Sequence, residues 1–175
     1  YLAAQDYFKS GQTAQALQEL AAAAGKPRFQ DYAGDFLRDA EEAYGAAGFP
    51  KAGAQAAAWH SLALPAVDEM ARLRQSLDKL VASCREAGDE SSAHEAIQFG
   101  LRLGQRLADE PLDLKTEGHE LVGVMIQRRL LETMDPASSY DSGGSTVKDR
   151  LDELARRRED IRSLQDPEFW DGYVL

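Results

Sequence analysis

Apolar positions recur along this chain with the three-to-four-residue period of α-helices, and glycines or prolines interrupt the runs. Leu2, Tyr7 and Phe8 give a first apolar face that ends near Gly11. Thr13 is placed to cap a second helix, carrying Ala16, Leu17, Leu20, Ala23 and Ala24 until Gly25 and Pro27. A third stripe runs through Phe29, Tyr32, Ala33, Phe36, Leu37, Ala40 and Tyr44 to Gly48. Pro50 stands at the first position of a fourth, alanine-rich helix, where a missing N–H costs nothing. That helix passes Gly53, runs through Trp59, and its pattern breaks from Ser61 to Pro65.

The second half reads the same way. Val67, Met70, Leu73, Leu77, Leu80, Val81 and Cys84 mark a fifth helix over about 66–87, closed by Gly88. Asp89 or Ser91 caps a sixth, with Ala93, Ile97, Leu101, Leu103 and Leu107 before Pro111. Leu121, Val122, Val124, Met125, Leu130 and Leu131 belong to a seventh, over about 114–134. Pro136, several serines and Gly143-Gly144 make 135–145 an expected flexible loop. Val147, Leu151, Leu154, Ile161 and Leu164 define the last helix, with Arg158 at the position this stripe skips. Pro167 ends it. Phe169, Trp170 and Tyr173 follow, and three large rings so close together are expected to fold back on the last helices, making 146–175 a cap on the array.

A six-residue pattern, glycine to small residue, spans Gly11–Ala16, Gly48–Gly53 and Gly88–Ala93, with the glycines 37 and 40 residues apart. Helix, tight turn and helix, repeated, is the expected local structure. Ala4, Tyr7, Gly11, Ala16, Leu20 and Ala23 resemble a tetratricopeptide repeat. Tyr44 and Gly48 match the same motif in a second unit, although Gly53 and Ala57 depart from it. Gly88, Ala93 and Ile97 match it in a third. The resemblance implies an all-α, irregular right-handed array of antiparallel helix pairs over 1–134. Segments such as Leu101-Arg102-Leu103-Gly104 and Leu121-Val122-Gly123-Val124 also resemble exported or membrane-anchored bacterial helical proteins of unknown function, which implies an extracytoplasmic location.

Composition agrees with helices: 28 alanines, no asparagine and few β-branched residues. A chain of 175 residues can bury roughly 70% of its unfolded surface, enough for a core without staples. The net charge of −10 opposes nucleic-acid and anionic-lipid partners. The basic run Arg156-Arg157-Arg158 is flanked by Asp152, Glu153, Glu159 and Asp160, as on a solvated ion-paired face. No uncharged run is long enough to insert in a bilayer. Tyr1, rather than Met, at the first position leads us to expect a removed leader, anchor or upstream domain.

Chemistry is sparse. His60, His94 and His119 lie in three different helical units, and Glu90/His94 has no matching pair on another helix, so no metal site is expected. Cys84, the single cysteine, falls on an apolar stripe and reads as an inert thiol. Gly143-Gly144-Ser145-Thr146 lacks the lysine and spacing of a phosphate loop. Trp59-His60 reads as an aromatic anchoring a helix end to the core. We therefore expect no catalytic residue and no cofactor. The expected function is a non-enzymatic scaffold for a protein or peptide, or for self-association, through Trp59, Arg158, Phe169, Trp170 and Tyr173. The alternative is a helical domain enclosing a small apolar ligand.

Overall fold

The computed structural model of this chain describes residues 1–26, 29–30, 32–62, 65–110, 112, 116–140 and 144–164. Among the described residues eight helices follow one another: α1 (Leu2–Lys9), α2 (Thr13–Ala24), α3 (Ala33–Ala46), α4 (Lys51–Ser61), α5 (Pro65–Glu86), α6 (Glu90–Ala108), α7 (Glu117–Leu131) and α8 (Val147–Leu164). No strand forms among the described residues, and no helix there is long and apolar enough to cross a membrane.

Three turns share one local chemistry. Gly11, Gly48 and Gly88 have φ of +74°, +92° and +75°, a region open to glycine and strained for other residues. The next residue then bonds back across the helix end: Gln12 N–H to Tyr7 O at 2.8 Å, Phe49 N–H to Tyr44 O at 3.1 Å, Asp89 N–H to Cys84 O at 2.8 Å. These bonds satisfy carbonyls that the helix leaves open. The caps differ from the expected ones by a residue or so. Gln12, not Thr13, is the N-cap of α2 and makes no side-chain bond; Pro50 is the N-cap of α4, not its first residue. Asp89 does cap α6, accepting from Ser92 N–H at 3.0 Å.

Small residues set the packing distances. Ala16 and Ala93 are fully buried. In the second pair the buried small residue is Ala54, one beyond Gly53. The closest approach is between α6 and α7. A Cβ built on Gly123 would lie 2.7 Å from both Ala108 N and Gly104 O, and one on Gly104 would lie 2.9 Å from Gly123 O. Only hydrogen side chains allow backbones so near. Around that seam Leu73, Leu77, Ile97, Leu103, Leu107, Ile126, Leu130 and Leu154 close the core.

The order of packing departs from a simple array. α1 lies on α5 and α2 on α6, so the first pair rests directly on the third. Ser76 Oγ donates to Gln5 Oε1 at 3.2 Å, and Lys9 Nζ to Glu69 Oε2 at 3.0 Å, across the α1–α5 contact. α7 continues from α6, and α8 from α7. α3 and α4 pack on each other, and neither has an extensive contact with another helix.

Buried arginines tie the ends of helices to their neighbours. The Arg106 side chain is 1% exposed and donates to Ala23 O at 2.7 Å, to Ala24 O at 2.9 Å and to Lys26 O. Those carbonyls close α2, where the helix dipole favours a cation. Arg85 donates to Thr133 O at 2.9 Å, just past α7. Arg157 donates to Ala108 O at the end of α6 and to Asp109 Oδ1 at 2.5 Å. The expected flexible loop is tied down in its described part: Tyr140 N–H bonds Ser145 O at 2.8 Å, and its hydroxyl accepts from Gln105 at 2.8 Å.

Candidate interaction surface

Among the described residues, most of the exposed large apolar side chains gather on the α3–α4 pair, with Leu2 and Met125 exposed elsewhere. α3 buries only Ala33 and Leu37, α4 only Ala54 and Ala58, whereas α6 buries ten residues. With about 100° between successive helical residues, Ala33, Leu37 and Tyr44 share one side of α3. Phe36 lies off that side and is 46% exposed. Tyr32, at the left-handed φ of +61°, stands at the N-cap and is 64% exposed. Phe49 is 49% exposed, although its ring meets Tyr44 edge-on at 5.4 Å and fixes the tip of the hairpin.

Trp59 is the sequence candidate that this hairpin carries. It is 51% exposed, so it does not anchor the end of α4 to the core as expected. The expected buried stripe Phe29–Tyr32–Phe36 is likewise broken up. Phe29 packs on the core beside Tyr1, with ring centroids 6.1 Å apart, while Tyr32 and Phe36 face outward. The physical reason is that Ala33 and Leu37, not the aromatics, take the buried positions of α3.

Arg158 belongs to a different region. It is half-buried on α8, its Nε is shielded from solvent, and that atom finds no hydrogen-bond partner among the described residues. Its neighbour Arg157 makes the inter-helix bonds, to Asp109 and to Glu120 Oε1 at 2.5 Å. Burial opposes the charge of Arg157, but Glu120 and Asp109 outweigh it and raise its pKa above the usual arginine value. Arg150 bonds Asp109 Oδ2 at 2.6 Å and Gln127 Oε1 at 2.6 Å, and lies over the Tyr140 ring. This cluster fastens α8 to α6 and α7; its charges are consumed internally. The structure thus separates Arg158 from Trp59. Phe169, Trp170 and Tyr173 lie outside the described residues, as does the expected docking of that tail.

The histidines remain apart. His60 and His94 are exposed, and His119 is buried where it completes the cap of α7 with Thr116. Among the described residues no group of three or more His, Cys, Asp or Glu could hold a metal ion. Cys84 is half-buried against the core. A cleft of about 430 Å³ between α1 and α5 is open and lined by Phe8, Lys9, Thr13, Ser76, Lys79 and Leu80. A second, of about 250 Å³, touches the start of α3 at Tyr32, Asp35 and Arg38. Both mix polar and apolar lining rather than presenting an enclosed apolar chamber.

Charge is divided within the hairpin. α3 carries Asp35, Asp39, Glu41 and Glu42 against Arg38 alone; α4 carries Lys51 and no carboxylate. An apolar stripe does not by itself reveal that Tyr32, Phe36 and Phe49 stay exposed, nor this division of charge. The available signal was α4 itself, apolar around most of its circumference. Compared with protein families, characterised proteins and solved structures, the chain matches none of them.

Proposed function

We propose that this chain is a non-enzymatic helical scaffold that engages a protein through its α3–α4 hairpin, in an extracytoplasmic setting. The observation that carries this reading is the set of four large apolar side chains, Tyr32, Phe36, Phe49 and Trp59, each 46–64% exposed on one helix pair. Aromatic residues give contact area at low entropic cost and recur at the centres of protein interfaces. The rest of the chain acts as the support. Its helices are fixed by the α6–α7 seam and by arginines that close neighbouring helix ends.

The test is site-specific photo-crosslinking in cells that make the protein. A benzophenone side chain replaces Phe36 or Trp59, and a control replaces exposed Ala82 on α5. Discrete polypeptide adducts at positions 36 and 59, absent at 82, support the reading. Equal labelling at all three positions, or adducts at none, overturns it.

A further inference from the structure

The outer face of α4 has a shape and a charge that fit one particular partner. Ala54 and Ala58 are the buried residues of α4, whose one extensive contact among the described helices is with α3. About half a turn away, at 100° per residue, lie Ala52, Ala56 and Trp59, all exposed. Their spacing of four and three is that of a packing seam. Along the helix the seam reads small, small, large.

We propose that this face is a contact between two copies of the chain, their α4 helices antiparallel about a two-fold axis near Ala56; the inference rests on the scaffold reading above. In an isologous contact residue i meets j while j meets i. With the axis between Gln55 and Ala56, Trp59 of each copy lies against Ala52 of the other, and the two Ala56 methyls flank the axis. Large against small fills the seam without a gap, and alanines permit close backbones. A parallel pairing would set Trp59 against Trp59 and leave Ala52 facing Ala52.

Electrostatics select the same helix. Each copy carries a net charge of −10, so two copies repel over most of their surface. α4 alone among the eight helices has no Asp or Glu. Its single charge, Lys51, sits in the first turn. Antiparallel pairing carries Lys51 to the carbonyl end of the partner helix, where the dipole is negative, and keeps the two lysines at opposite ends. An 11-residue helix is about 16 Å long. One helix pair of that length lies at the small end of specific interfaces, so the dimer is weak and concentration-dependent.

Sedimentation velocity of the purified chain from about 5 to 500 µM reads the equilibrium. The expected result is a monomer that converts to dimer within that range. Ala56→Glu and Trp59→Ala should each weaken association at least tenfold, and exposed Ala82→Glu on α5 should not change it; helical circular dichroism confirms that all three remain folded. Orientation is read by oxidation in a Cys84→Ser background. Ala56→Cys should cross-link to itself. Ala52→Cys should not, because its two copies would stand about 11 Å apart along the axis, beyond disulfide reach. A monomer throughout the range, or association that Ala56→Glu leaves intact, overturns the proposal. Equal cross-linking at 52 and 56 overturns the antiparallel arrangement. If the purified chain stays monomeric while positions 36 and 59 cross-link to a different polypeptide in cells, self-pairing fails and the scaffold reading stands.

Discussion

Gly123 and Gly53 both stand inside helices, yet a methyl group added to each meets different surroundings. At Gly123 it would sit 2.7 Å from two backbone atoms; at Gly53 its nearest neighbour is the Pro50 ring at 3.7 Å. Gly123→Ala should therefore lower unfolding free energy by about 1–3 kcal/mol through overpacking. Gly53→Ala should raise it by about 0.5–1 kcal/mol, because alanine loses less backbone freedom in a helix. Denaturant melts at matched pH check both signs. Ala16→Leu and Ala93→Leu belong with the first class, at about 1–3 kcal/mol, while Ala137→Leu in the exposed connection should cost little. The turn glycines were visible in the sequence because each closes an apolar run. The packing role of Gly104 and Gly123 is not legible in large apolar stripes, which say nothing of residues whose role is to be small. The signal was Gly100, Gly104 and Ala108, each four residues from the next.

At the scale of the helix, the ends decide. Arg106 reaches the last carbonyls of α2 from a site that is almost wholly closed to solvent. Arg106→Leu should cost about 1.5–3 kcal/mol, the worth of a hydrogen bond to a charged group. Hydrogen exchange should show the loss first in α1 and α2, which this side chain ties to α6. Caps at the other ends respond to acid. Bonds from Ser92, side chain and backbone, hold the Asp89 carboxyl below its usual 3.8. Backbone and side-chain bonds from Thr146 lower Asp149 in the same way. A depressed folded pKa gives stability that is fully present above the unfolded value and is lost as pH falls through the folded one. Wild type should thus exceed Asp89→Ala in stability at pH 6, and the two should converge as pH falls below 3.8 through the depressed pKa, in thermal melts across that range. Asp89 was legible because a capping residue precedes its helix directly. The partner of Arg106 was not, since it lies about 80 residues away and depends on how the pairs stack.

At the scale of the molecule, the helical class and the helices among the described residues follow from periodicity, whereas the stacking order does not. Periodicity shows which side of a helix is apolar; it does not say which other helix covers it. Tyr32 and Phe36 show this plainly: both lie on an apolar stripe, and both remain exposed. Native-state hydrogen exchange should resolve two cooperative units. α5, α6 and α7 should open only with global unfolding, and α3–α4 should exchange through a cheaper opening of its own. Identical protection in both would contradict the separation of the hairpin.

The direct contact of the first pair with the third has a kinetic and modular consequence. α1 and α2 must find α5 and α6 across an intervening length of chain, closing a loop whose ends are distant in sequence. Loop closure depends only on the logarithm of length. Replacing residues 33–62 with a Gly-Ser tether of about 15 residues keeps Phe29 on Tyr1, and should leave that docking intact and ease closure by roughly 0.6 kcal/mol at most. The shortened chain should fold sooner, keep the Lys9–Glu69 and Arg106–Ala23 contacts, and lose self-association altogether. The hairpin would then be a cassette, free to change its partner without rewriting the fold that carries it.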